Sequence, residues 1–231
     1  MSNDIRSELR SFPSAGDVTT VTPVSAQRVL RNTYALLGLT LAFSALVAGV
    51  AMSLNLPHPG ILVTLVGFYG LFFLVNKTAN SGKGVLAVFA LTGFMGYTLG
   101  PTLNAVMSMP GGSATITNAL AATAAAFLGL SAIALTTKRD FSFMGKFLMI
   151  GMLVAVALGL GAIFFEVPAL SLAVSGMVVL LSCGLILFET SRIVNGGETN
   201  YVMATVGLFV TIYDLFSSLL MLFGLGGNSD D

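Results

Sequence analysis

The sequence predicts an all-α polytopic membrane protein, a bundle of seven transmembrane helices, and three observations carry that prediction. The first is composition. Of 231 residues, 55% are hydrophobic and only 9% charged, with mean hydropathy +0.93, whereas a soluble domain carries about a quarter charged residues. No water-soluble fold of this length could cover so much apolar surface, so the solvent is lipid. The second is segmentation. A span needs roughly 20 mostly apolar residues, because a helix rises about 1.5 Å per residue through a hydrocarbon core of about 30 Å. Seven such runs fall at 34–54, 57–76, 84–107, 115–136, 147–166, 168–188 and 201–224. The third is the placement of the basic residues. Arg6, Arg10, Arg28 and Arg31 precede span one; Lys77 and Lys83 follow span two; Lys138, Arg139 and Lys146 follow span four; Arg192 follows span six. These are all ten, and the alternate connections hold none. Cytoplasmic loops collect Lys and Arg, so the split predicts seven spans, a cytoplasmic N-terminus and an external C-terminus.

Taken in order, residues 1–27 are rich in Ser, Thr, Asn and Pro and are expected to form a flexible cytoplasmic tail. They do not resemble a secretory signal, because the first apolar run begins only at Tyr34 and is too long and too late for one. Tyr34 and Tyr201 are expected at the cytoplasmic interface, where amphipathic rings settle. Span two is the weakest, dense only over Ile61–Val75, with Pro57 and Pro59 placed in its first turn, where a missing N–H costs nothing. His58, between those prolines, is expected as a turn residue. Span three carries Gly93, Gly96 and Gly100, followed by Pro101; such a series of small residues lets helices approach closely. Residues 225–231 form a short acidic outer tail, and no connection is long enough for a second domain.

Ten basic residues balance ten acidic ones, so there is no basic patch suited to nucleic acid. Cys183 is the single cysteine, which excludes an intrachain disulfide and a cysteine zinc site. No cofactor and no metal site are expected. Several intramembrane chemistries lack their residues. A retinal Schiff base needs a lysine in the last span, and 201–224 has none. A rhomboid-type serine protease needs a histidine within the bundle, and the sole His58 sits at the outer edge. A zinc protease needs HExxH, which is absent. Tyr213-Asp214 looks like half of an intramembrane aspartyl protease pair, but the other half, GxGD, is missing. No catalytic residue is assigned.

The chemistry-bearing stretch is LFETSRIVNGGETNYVMATVGLFVTIYDLF, residues 187–216. It places Glu189 at the end of span six and Asp214 thirteen residues into span seven. An ionised carboxylate at a helix centre costs perhaps 2.5–3.5 kcal/mol on insertion scales, so Asp214 is expected to face the bundle or a wet cavity. Residues about seven apart share a helix face. Span seven thereby presents Gly207, Thr211, Asp214 and Ser218, and span six presents Ser175, Ser182 and Glu189. The turn NGGE, with Gly196 and Gly197, sets these stripes face to face. Close packing, with serines bonding across the interface, accounts for Ser175, Ser182, Gly207 and Ser218. It accounts poorly for Asp214, where Asn or Ser would pack as well without a charge. Burial and a neighbouring acid both favour the neutral carboxyl, so Glu189, Asp214 and Thr211 are candidates for proton or cation sensing. In an ideal hairpin Glu189 lies near the cytoplasmic end and Asp214 a few turns deeper, so contact between them does not follow. Tight calcium storage is excluded, since Ca²⁺ takes six to eight oxygens; transient passage of Ca²⁺ or H⁺ is not.

RVLRNTYALLGLTLAFSA, GFMGYTLGPTLN, KRDFSFMG and LFETSRIVNGGETNYVMATVGLFV resemble the Bax inhibitor-1 family, from about Arg28 to Gly224. GYTLGP and NGGETNY are the specific parts. The resemblance implies seven helices with the last one central. It implies a pair of aspartates on spans six and seven that sense pH for a calcium-permeable leak in some members. The first matches Glu189 and the second matches Thr211, while Asp214 matches a position that is usually Asn, so the dyad is altered. For the bacterial branch the resemblance implies association with the membrane-anchored AAA+ protease FtsH, modulation of membrane-protein quality control, and a bacterial inner-membrane location, with the N-terminal tail giving the protease its grip. The expected function is therefore that of an FtsH modulator, with a pH-sensitive calcium or cation leak as the alternative.

Overall fold

The computed structural model describes residues 23–137 and 139–226. Within them the chain forms seven long helices and one short turn: α1 Pro23–Ser53, α2 Ile61–Thr78, α3 Lys83–Met107, α4 Gly112–Thr137, a 3₁₀ turn at Ser142–Met144, α5 Gly145–Phe164, α6 Pro168–Val194 and α7 Tyr201–Gly226. There is no strand among the described residues. All seven are long and apolar enough to cross a membrane, and the protein is a multi-pass membrane protein. Residues 1–22, Lys138 and residues 227–231 lie outside the described residues, and with them most of the two expected tails, Arg6 and Arg10.

The last helix is central. Among the described residues α7 touches every helix except α5, and half of its apolar window is buried within the protein, against 6% for α2. Its buried Val202, Val206, Leu208 and Phe209 join Leu37 of α1, Leu91 of α3 and Ile193 of α6 in one core. At the other extreme α5 packs only on α6 and the adjoining 3₁₀ turn among the described residues. It has the highest mean hydropathy of the seven and turns Phe147, Ile150 and Leu153 outward. A helix with one neighbour in lipid is apolar all round, whereas α7, packed against five other helices, can carry Thr and Asp.

The tightest pairing is α1 against α3, and glycine permits it. A Cβ at Gly96 would lie 2.4 Å from the Ser44 carbonyl oxygen, and one at Gly100 would lie 2.5 Å from the Ala51 Cβ. Pro101 follows inside α3; a membrane helix tolerates it because neighbouring groups re-satisfy the freed carbonyl.

The structure differs from the spans read in the sequence at several ends. Helix α1 begins at Pro23, not Tyr34, so residues 23–27 are helical rather than tail. Hydropathy misses this extension because Arg28 and Arg31 interrupt it, although Val29 and Leu30 pack on the core. Tyr34 is drawn into the bundle, its hydroxyl 3.4 Å from Thr190 Oγ1. Pro57 and Pro59 lie ahead of α2, not in its first turn, because Gly60 at φ +81° breaks the chain direction before Ile61. There the Tyr97 hydroxyl donates to the Pro57 carbonyl at 3.0 Å and Gly60 N donates to His58 Nδ1 at 3.1 Å. Helix α5 stops at Phe164, with Glu166 left at φ +53° in the turn beyond it. Helix α6 continues past Phe188 to Val194, so Glu189 lies inside a helix, not at its end.

The connections that carry Lys and Arg converge at one end of the bundle. Asn200, in the α6–α7 turn, donates to the Ala79 carbonyl at 3.2 Å and Asn80 Oδ1 at 2.8 Å in the α2–α3 turn. Ser191 Oγ donates to the Arg139 carbonyl at 2.9 Å and accepts from Phe141 N at 3.1 Å in the α4–α5 loop. The RDF stretch at 139–141 and the TSRIVNGGETN stretch are thus joined by hydrogen bonds.

Candidate functional site in the α6–α7 hairpin

The hairpin is built from local signals. Pro168 opens α6 at its first turn, where a missing donor is free. At the far end Gly196 takes φ +74°, a left-handed conformation that glycine adopts without penalty. Gly196 N then reaches the Ile193 carbonyl at 3.2 Å and Gly197 N the Arg192 carbonyl at 2.8 Å, satisfying orphan carbonyls of the helix. Three residues on, Asn200 Oδ1 accepts from Val202 N at 2.9 Å and Met203 N at 3.3 Å, capping α7. The turn residues Gly196 and Gly197 are therefore structural.

Glu189 sits between the two helices. Thr211 Oγ1 donates to its Oε2 at 3.3 Å, and a Cβ at Gly207 would stand 2.7 Å from its Oε1. Gly207 thus leaves the space the carboxyl fills, and Thr211 holds it there. Most membrane hydroxyls in this chain bond instead to their own helix: Thr40 to Leu37, Thr92 to Phe89, Thr123 to Ala119, Ser175 to Ser171. That is the usual way a helix satisfies Ser and Thr. Thr211 departs from it to serve an acid on another helix.

Beside Glu189 is a cavity of about 180 Å³, also lined by Phe72, Arg192, Ile193, Glu198 and Met203. Arg192 Nη2 bonds Glu198 Oε2 at 3.1 Å, and its guanidinium lies 5.5 Å from the centre of the Phe188 ring. This is the only ion pair among the described residues, so the nearest cation is committed to Glu198 and Glu189 has no ionic partner. Asp214 lies one turn further along α7 from Thr211, on the same face. It is part-buried and within electrostatic reach of Glu189, but no hydrogen bond joins the two acids.

Of the sequence-predicted site residues, the structure brings Glu189 and Thr211 into contact and holds Asp214 apart. Gly96, Gly100 and Pro101 belong to α3 and its contact with α1. The expected serine bonds across the α6–α7 interface are not formed: Ser175 bonds within α6, and the buried Ser182 Oγ has no partner. Arg192 and Glu198 were missed as site residues. Their signal was in the stretch ETSRIVNGGE, where Arg192 falls three residues after Glu189 on one helix face. The described residues bring together no group of three His, Cys, Asp or Glu side chains suited to a metal ion.

Replacing Thr211 by Val keeps the shape and removes the donor, leaving the Glu189 carboxyl in protein without a partner. The expected loss is about 1–2 kcal/mol, read as a lower unfolding temperature in detergent. The same change in a Glu189→Ala background should cost little, because no acceptor remains.

Seven membrane helices, the last of them central and facing an acid on its hairpin partner, define a polytopic membrane protein with an internal carboxyl site. Residues 26–229 match the family described as Inhibitor of apoptosis-promoting Bax1, and the chain belongs to this Bax inhibitor-1 family. It is 54% identical over 202 residues to an uncharacterized protein of Pseudomonas aeruginosa, covering 87% of this chain and 91% of the relative. It is 50% identical over 215 residues to the Modulator of FtsH protease YccA of Escherichia coli K12, covering 93% and 97%. An uncharacterized membrane protein of Vibrio cholerae is 42% identical over 208 residues, covering 90% and 93%.

Proposed function

We propose that this protein resides in the bacterial inner membrane and modulates membrane-protein quality control through an FtsH-type protease. The observation that carries this is the 50% identity with the Escherichia coli modulator over nearly the full length of both chains; the same-named relative of a second Escherichia coli strain is called an inner membrane protein. The convergence of the Lys- and Arg-bearing connections at one end supports a cytoplasmic N-terminus. Residues 1–22 would then be offered to the protease on that side, with the bundle as an anchor resisting extraction. Deletion of residues 2–22 tests this. The deleted chain should no longer co-purify with FtsH, and its lifetime in cells should change. Unchanged lifetime, with no co-purification of the intact chain, removes the proposal.

A second reading, a pH-sensitive leak for Ca²⁺ or another cation, is favoured by one arrangement. Glu189, in no salt bridge, borders a cavity at the basic end that Arg192 and Glu198 also line, while Asp214 lies one turn beyond Thr211 on α7. Calcium flux into proteoliposomes on either side of neutrality, with Glu189→Gln and Asp214→Asn beside the parent, decides it. A parent flux that the two substitutions abolish supports the leak, and equal silence of all three ends it.

A further inference from the structure

On the side of α7 away from Glu189 the bundle is open to the bilayer. Helices α1 and α4 keep their backbones apart, bridged where Tyr34 meets Phe127 with ring centroids 5.9 Å apart. Between them lies a cleft of about 410 Å³. Ala45 on α1 and Leu120, Ala124 and Leu128 on α4 form its rim, and all four are exposed. Phe209 and Phe216 of α7 form its floor and are 1% and 7% exposed. The cleft is thus apolar, deep and open sideways between two membrane-spanning helices.

Such a space does not stay empty in a membrane, since lining atoms without neighbours forfeit their dispersion contacts. Its size selects the occupant. An apolar cavity of ~150 Å³ holds benzene, or about 25 Å³ per carbon, so this cleft takes on the order of sixteen carbons, the length of one acyl chain. A transmembrane helix, about 10 Å across with its side chains, is too wide for that volume. The cleft is also continuous with the hydrocarbon its rim residues already face. We propose that it binds one acyl chain of a bilayer phospholipid, held between α1 and α4 against α7. The bound chain then shares α7 as a wall with the carboxyl site: Phe216 lies toward the cleft while Gly207 and Thr211 face Glu189.

The chain contains no Trp, so an introduced Trp is read without background. Phe216→Trp reports from the cleft floor and Leu153→Trp, on the outward face of α5, reports free bilayer. Each full-length variant is reconstituted into vesicles of phosphatidylcholine brominated at mid-chain, a contact quencher of Trp, and checked for folding by its melting temperature. The expected result is that Phe216→Trp loses most of its emission, as Leu153→Trp does, and that adding Ala124→Phe to fill the cleft restores it. Phe127→Trp serves as the cleft reporter if Phe216→Trp does not fold. A cleft Trp that keeps its emission while Leu153→Trp is quenched means the cleft is closed by protein and overturns the proposal. So does quenching that Ala124→Phe leaves unchanged.

Discussion

Gly96→Ala should be among the most damaging single-methyl changes in this protein, with an expected loss of about 3 kcal/mol, the upper range for overpacking a close contact. The new Cβ would lie 2.4 Å from the Ser44 carbonyl oxygen and 3.1 Å from its carbon. Backbone cannot rotate away as a side chain can, so α1 and α3 must part by roughly 1 Å to restore ordinary contact. Parting them loosens the neighbouring seat of Gly100 against Ala48 and Ala51 as well. Alanine's better helix propensity, about 1 kcal/mol over glycine in water, offsets only part of this. Two comparisons isolate the cause. At Gly93 the obstacle is the Phe43 ring, 2.8 Å away, which can turn, so Gly93→Ala should cost less. At Gly38 and Gly49 a Cβ meets nothing within 4 Å, so Ala there should be neutral or stabilising. Unfolding temperatures in one detergent should follow that order, and equal effects at Gly96 and Gly49 would refute it.

Gly207→Ala strikes the carboxyl site from the opposite helix. Its Cβ would sit 2.7 Å from Glu189 Oε1 and 3.1 Å from the carboxyl carbon. The carboxyl must swing out, and it then loses the Thr211 hydrogen bond without finding another buried donor. A loss of about 2 kcal/mol is expected from the strain and the unmade bond together. In a Glu189→Ala background the same substitution meets open space and should cost nothing or gain slightly, from the helix propensity of alanine. The coupling from such a double-mutant cycle measures the contact itself. Additive effects, with the same loss in both backgrounds, would mean that Gly207 serves the helix packing and not the acid.

Much of this was legible in the sequence because lipid imposes a simple rule. Backbone groups must be satisfied within each span, so spans are long helices, and hydropathy with Lys and Arg placement finds them. The glycine spacing in α3 and the NGG turn were legible for the same reason: each marks a place where a side chain would obstruct. The ends of α1 and α6 were not, because charged or polar residues extend both helices beyond the apolar run. Arg28 and Arg31 hid the first eleven residues of α1, and the polar ETSR hid the last turns of α6. That second extension is what places Glu189 within the helix, level with Gly207 and Thr211. Periodicity named the right face of α7, but it could not say which member would meet Glu189. Asp214 looked the more telling residue because it carries charge, yet the hydroxyl of Thr211 makes the contact. Nor did periodicity reveal that Arg192 would be drawn to Glu198, a choice made by the tight turn that folds Glu198 back over the end of α6.

The protease role is tested most directly with purified components in one bilayer. FtsH, an integral-membrane substrate and the full-length protein are reconstituted together, and the rate of substrate loss is followed as the protein is titrated, beside a soluble substrate. A modulator that acts within the membrane changes the rate for the membrane substrate in step with its amount, and the chain lacking residues 2–22 does not. A rate that stays constant at every ratio, for intact and shortened chains alike, contradicts it.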